Sequence, residues 1–248
     1  IKSKNINVVK NAEVINIDDA DEVITLEYLS DGDIKKVSCA HVLFSNPLLD
    51  FINFYKDELP NEVIDAASKL EYRNHISVHI TIDKKLFDDN WIYIHSPELK
   101  MARIADFTNF SKDMSIEGNY PLTLEYFCFE DDEIWNSDKN DIIDFAISEL
   151  KQIFKEEFQV VHTDITKNPK AYPVIRTGYE ENLNILREWL SKKKNLTAIG
   201  RSGMFKYNNQ DHAMATGLYA VRNLLGKGNF DPWEVNVDGE YHEEIITA

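Results

Sequence analysis

Between residues 198 and 214 the chain reads AIGRSGMFKYNNQDHAM, and Gly200, Arg201, Gly203, Tyr207, Asp211 and His212 within it are residue types that can hold an anion or a flat, electron-rich ring. Gly200 and Gly203 permit backbone geometry and close approach that a side chain would forbid. Leu196, Ala198 and Ile199 ahead of them read as a short buried strand. Asp211, a favoured N-cap residue, starts a helix that Gly226 stops. A helix start offers free N–H groups and the positive end of the dipole, so strand, turn and helix together would aim donors at a phosphate or a ring. His212 at such an end would have its imidazolium disfavoured, which leaves a neutral ring able to hydrogen-bond a ligand; a capping or packing role serves equally.

Inside that helix Ala213, Gly217 and Ala220 fall on one face, and Met214, Leu218, Val221 and Leu225 form an apolar stripe beside them. Small residues let something flat come close, and tight helix-on-sheet packing explains them as well. Upstream, residues 6–46 read as strands: Val8, Val9, Val14, Ile15 and Ile17, then VITLEYL, a hairpin at Asp31-Gly32, IKKVS and HVLF. NEVIDAASKL at 61–70 has helical spacing behind Pro60. NHISVHITID, NWIYIHS, KMARIADFTNFS, PLTLEYFCFE and FQVVHTDITK read as the strands of a sheet. SDKNDIIDFAISELKQIF is an amphipathic helix with Ile142, Phe145, Ala146, Leu150 and Ile153 on one side.

Composition excludes more than it assigns. Forty-three acidic against 27 basic residues give the 248-residue chain a net charge of −16, a field that disfavours nucleic acid and anionic membranes. No apolar run approaches the ~20 residues needed to span a bilayer. Cys39 and Cys128 lack metal-type spacing and read as reduced thiols, which with the absence of a signal-peptide pattern leads to the expectation of a cytoplasmic protein. His75 and His79 share a strand face but stand too far apart for one metal ion. Glu130, Asp131, Asp132 and Glu133 are consecutive, as in a solvated turn. No metal is expected.

The string GRSGMFKYNNQDHAM resembles the C-terminal flavin-binding motif of the FAD-dependent amine oxidase and protoporphyrinogen oxidase superfamily, which includes UDP-galactopyranose mutase. AEVINI, the hairpin at Asp31-Gly32 and HVLFSNPL are similar to that family's adenine-side strand, β-meander and crossover, and AYPVIRTGYEENLNILREWL resembles its return from the substrate domain. The resemblance implies FAD as cofactor. The backbone of Val14 would meet the adenine, the turn at Gly200, Arg201 and Gly203 would pass the pyrophosphate, and Asp211, His212, Ala213 and Met214 would face the isoalloxazine. Tyr207 and His212 are its candidate catalytic residues, and Arg201 with Tyr207 would hold a diphosphate in the mutase branch.

The implied fold is mixed α/β, the C-terminal part of a two-domain flavoprotein. Residues 1–46 give part of the FAD-binding domain, 47–172 a mixed-sheet substrate domain, 173–230 the return with the flavin motif, and 231–248 a tail, in which Trp233 and Tyr241 suggest docking on a surface. The superfamily's opening GxGxxG motif does not occur among the nine glycines, so a missing N-terminal segment of the same protein is the expected partner, beside a small-molecule substrate. Three functions follow: an oxidoreductase taking hydride from a C–N or C–C bond, a sugar-nucleotide mutase working without net redox change, or a binding module that has lost its flavin.

Overall fold

The computed structural model describes residues 6–19 and 23–236. In chain order its strands are β1 (Ala12–Asp18), β2 (Ile24–Ser30), β3 (Asp33–Cys39), β4 (Val42–Phe44), β5 (Tyr72–Ile82), β6 (Trp91–Tyr93), β7 (Arg103–Asp106), β8 (Tyr120–Cys128), β9 (Val160–Pro173) and β10 (Leu196–Ala198). Its helices are α1 (Leu48–Ile52), α2 (Asn61–Ser68), α3 (Glu133–Asn136), α4 (Lys139–Ile153), α5 (Tyr179–Ser191) and α6 (Gln210–Leu224). They form two compact units: one holds the described residues up to Glu71 and from Ile175 onward, the other Tyr72–Val174. The first boundary therefore lies at Glu71. Residues 47–71, expected to open the substrate domain, belong with the first unit because α2 packs on α5.

In the first unit β1, β2 and β3 make an antiparallel meander. Asp31 and Gly32, both with positive φ, close the hairpin between Ser30 and Asp33 as an Asp-Gly turn should. Val8 and Val9, expected in a strand, lie outside it and are half exposed. Among the described residues no strand faces them, and isolated valines do not pair by propensity alone. A bulge at Ile15 interrupts the β1 register between Val14 and Asn16. Ile17 and Ile24 are buried on the meander's inner side, whereas Glu27 and Lys36 pair at 2.7 Å on the outer one. Beside the meander, β4 runs parallel to β10.

The first unit's core gathers on these short elements. Phe51 of α1 stacks on Phe44 of β4 with ring centroids 3.6 Å apart, and Tyr55 meets Trp189 of α5 edge-on at 5.2 Å. α5 buries Leu183, Leu186, Trp189 and Leu190, the one-sided spacing of an amphipathic helix. Burial, reinforced by the nearby Asp19 carboxylate, pushes the Tyr55 phenol far above its ordinary range.

The second unit is an antiparallel sheet in the order β6-β7-β8-β5-β9 with α4 laid on one face. Ile76, Val78, Ile80, Ile82, Leu122, Leu124 and Tyr126 alternate onto that face and meet Ile142, Ala146 and Leu150 of the helix. Glu149 of α4 is 2% exposed, and its carboxylate accepts the amides of Lys100 at 2.6 Å and Met101 at 3.1 Å. The opposite sheet face presents Arg73, His75, Ser77 and His79 of β5 beside Thr123, Glu125 and Phe127 of β8. His79 bonds Thr123 and His75 bonds Glu125, so the two histidines serve separate partners. Burial raises the Glu125 carboxyl, but hydrogen bonds from His75 and Arg103 and the Arg103 charge outweigh it and hold it below the usual range. Residues 130–133 are an exposed turn in all but Glu133, which opens α3 and is exposed too. Among the described residues no group of three or more side chains could hold a metal ion, and no helix is long and apolar enough to cross a membrane.

Candidate functional site

Parallel β4 and β10 end at the same edge, and the segments leaving them are tied together. The Ile199 amide donates to the Phe44 carbonyl at 2.9 Å, and the Leu48 amide to the Ser202 carbonyl at 3.0 Å. Ligands of α/β sheets commonly bind outside the carboxyl ends of parallel strands, because the connections there diverge and leave a crevice. Here the crevice is an open groove of about 770 Å³, lined by Val14, Ile17 and Leu26 of the meander, by Phe44 at the end of β4 and by Ser45 and Asn46 beyond it.

The turn from Gly200 to Asn209 packs against Phe44 and Ser45, two residues of the groove's lining. Gly200 takes φ +78, its amide donates to the Thr216 hydroxyl at 2.8 Å, and its carbonyl accepts from Asn208 at 3.0 Å. The Thr216 hydroxyl donates in turn to the Ala213 carbonyl at 2.7 Å, so one buried threonine joins turn to helix. Gly203 is required by contact: a β-carbon there would lie 2.6 Å from the Ile199 carbonyl oxygen and 2.8 Å from that of Phe44. Its glycine therefore serves close packing of two strand ends. Arg201 lies with its guanidinium 4.3 Å from the Tyr207 ring centroid and donates to the Asn208 carbonyl at 3.1 Å. Tyr207 is half exposed, whereas the Arg201 Nε and Nη2 atoms beneath it are buried.

The helix start differs from expectation by two residues. Asn209, not Asp211, is the N-cap of α6, and His212 completes a capping box in which its Nδ1 accepts the Asn209 amide at 3.2 Å. That bond needs an unprotonated Nδ1 and leaves the ring proton on Nε2. Asp211 is an exposed first-turn residue, its side chain 74% accessible. The amides of Gln210 and Asp211 stand in the first turn, where no intrahelical acceptor exists. The geometry predicts that His212→Gln keeps the cap while His212→Ala costs about 1 kcal/mol in urea unfolding. Equal losses for both variants would show that the imidazole does something other than cap.

Thr216 and Ala220 form the buried side of α6, and a methyl at Gly217 would touch Ile199 at an ordinary 4.0 Å. Met214, Leu218 and Leu225 are exposed by 65%, 58% and 62%, so the apolar stripe faces outward. Lys206 donates to the carbonyls of Trp233, Val235 and Asn236, and Arg187 lies over the Trp233 ring, which fastens residues 233–236 to this unit. Tyr241 lies outside the described residues. Sequence reasoning missed Ser45, Asn46, Thr216, Asn208 and Lys206. Only the Ser-Asn-Pro run after β4 carried a local signal, as a turn following a strand.

Solved structures resemble this arrangement. The chain superposes on a reduced UDP-galactopyranose mutase with TM-score 0.73 and 22% identity, over 90% of this chain and 49% of that one. An Exiguobacterium protein assigned as a protoporphyrinogen oxidase gives TM-score 0.61 at 12% identity, over 77% of this chain and 42% of that one. An oxidoreductase from Methanosarcina mazei gives 0.50 at 13% identity, over 77% and 44%. The chain thus spans about half the length of these structures. No curated protein sequence matches it. The model of the flavin containing amine oxidoreductases matches residues 5–225, and with the mixed α/β fold in place the chain belongs to that family.

Proposed function

We propose that this chain forms the adenine-side and flavin-side parts of an FAD-dependent oxidoreductase that takes hydride or its equivalent from a C–N or C–C bond of a small molecule. The observation that carries the reading is the shared edge of β4 and β10, where the groove opens beside β4 and the glycine turn that leads to α6 packs against Phe44 and Ser45 within one unit. The residues present fit the cofactor. The groove volume lies within the usual range for cofactor sites. The bulge at Ile15 frees main-chain groups beside Val14 for a base. The first-turn amides of Gln210 and Asp211 suit an electron-rich ring edge.

FAD, when bound, supplies the electron-accepting ring, and the protein orients it and shapes what can approach. Val14, Gly200, Arg201, Gly203, Asp211, His212, Ala213 and Met214 are the residues assigned to hold it. In this assignment Gly203 and His212 act through the turn and the cap they maintain. Tyr207, stacked on Arg201, is assigned to meet the substrate.

The reading includes a further strand and helix supplied by the same protein. Parallel sheets are normally covered on both faces, yet this one has two strands of three residues, and the α6 stripe lies bare. That segment would also bring the glycine-rich pyrophosphate cradle, which the 248 residues lack. A cytoplasmic location accords with the two unpaired thiols. A second reading, a sugar-nucleotide mutase, draws on the Arg201 and Tyr207 pair and on the similarity to UDP-galactopyranose mutase.

The test is a visible absorption spectrum after adding FAD, recorded on the 248-residue chain and on a version extended by the codons that precede Ile1. Flavin bands in the extended protein are expected. Bleaching by amines or porphyrinogens then selects the oxidoreductase, and UDP binding selects the mutase. No flavin in either protein overturns both and leaves a binding module.

A further inference from the structure

We infer that residues 230–236 form a strap that positions Tyr207, with Asn236 and Lys206 as the positioning residues. The consequence for catalysis rests on the assignment of Tyr207 to the substrate, whereas the geometry itself is read without flavin.

The strap is a short run outside any sheet, so side-chain contacts must fix its place. At its start the Asn223 side chain of α6 grips the Phe230 main chain, accepting the amide at 2.8 Å and donating to the carbonyl at 2.7 Å. The Phe230 ring stacks on Tyr219 with centroids 4.6 Å apart. Asp231 then accepts the Trp233 amide at 2.9 Å through one carboxylate oxygen and pairs with Arg187 of α5 through the other. At the far end Asn236 takes φ +55, a left-handed conformation that asparagine adopts more readily than most residues. There its Nδ2 donates to the Tyr207 carbonyl at 3.1 Å and to the Asn208 Oδ1 at 3.3 Å.

These bonds fall on both sides of one residue. Lys206, just before Tyr207, donates to the strap carbonyls, and Asn236 holds the Tyr207 carbonyl and the Asn208 side chain after it. Asn208 is 2% exposed and donates onward to the Gly200 carbonyl at 3.0 Å, so the strap is joined to the glycine turn. Phe205, fully buried, takes φ +50, a strained conformation for an aromatic residue. Such strain persists only where the surroundings over-determine the backbone, and the bonds at residues 206 to 208 supply that constraint. The Tyr207 ring itself stays half exposed over the Arg201 guanidinium. A fixed backbone beneath an accessible ring is the arrangement that presents a group to a ligand in one pose.

Nuclear magnetic resonance of the 248-residue chain reads the pose, because the ring current of Tyr207 displaces the Arg201 side-chain resonances. Asn236→Gly removes the amide and accepts the positive φ, and Lys206→Met removes the ammonium group but keeps the stem. Each is expected to move the Arg201 resonances toward those of a solvent-exposed arginine. Lys206→Arg keeps a cation with several N–H donors and should retain most of the displacement that Lys206→Met loses. Val63→Ala loosens the core of the same unit at α2 and should leave the resonances in place. Circular dichroism checks that each variant is folded, and the two anchors are removed separately so that either folded variant decides. Unmoved Arg201 resonances in a folded anchor variant, or an equal movement in Val63→Ala, overturn the inference. In the extended, FAD-loaded protein Asn236→Gly should lower kcat/KM about tenfold. Should that protein bind no flavin, the resonances still decide whether the strap positions Tyr207.

Discussion

Gly203→Ala is expected to cost the first unit about 3 kcal/mol or more, a large share of the stability of an ordinary domain. The new methyl would stand 2.6 Å from the Ile199 carbonyl, 2.8 Å from the Phe44 carbonyl and 3.1 Å from Ser45 Cα, all of them backbone atoms. A flexible side chain could swing away. Two strand ends cannot separate without breaking the bonds from Ile199 to Phe44 and from Leu48 to Ser202. Gly226→Ala is the control: it takes φ +65 with nothing within 4 Å of the added carbon, so it carries only the left-handed penalty of about 1 kcal/mol. Urea unfolding of both variants measures the contrast. Equal midpoints would mean that the seat between β4 and β10 is looser than these distances imply.

Glu149→Ala should destabilise the second unit by a similar amount, for a different reason. The carboxylate takes two backbone amides, at Lys100 and Met101, inside a core where water does not replace it. Removing the acceptor leaves a buried donor at Met101 and a part-buried one at Lys100 unpaired, about 3 kcal/mol together. Burial, with the neighbouring Glu149 charge, drives the Tyr126 phenol far above its normal range, which marks how dry the place is. Glu149→Gln keeps one acceptor oxygen and should lose about half as much. Hydrogen exchange gives the direct reading: the amides of Lys100 and Met101 should pass from slow to fast in Glu149→Ala while those of α5, in the first unit, keep their protection. Unchanged protection at both amides would refute the assignment.

Elements whose cause is local were legible in the residues. The Asp31-Gly32 hairpin, α4 and the glycine turn before α6 each follow from turn chemistry or a one-sided apolar repeat. The start of α6 was misplaced because Asn209 and Asp211 are both good caps, and a histidine in the third position does not advertise a capping box as a glutamate would. The packing of α2 on α5 was not legible because the two helices lie more than a hundred residues apart in the chain. The groove was invisible for the same reason, since its walls come from residues 12–17 and 42–54. The grouping of Arg73 with the Phe127 and Tyr172 rings needed the register of three strands before it could be seen.

Lys206 bears on the charge that a ligand meets at the glycine turn. Its ammonium group has three protons, and three backbone carbonyls, those of Trp233, Val235 and Asn236, stand ready to take them. A cation so enclosed is a rivet whose field is largely quenched by the dipoles around it. Of the two basic residues between Gly200 and Asn209, Arg201 alone is left to set the electrostatic sign of the turn's accessible side. Any discrimination there between charged and neutral molecules then rests on one guanidinium and the ring beneath it.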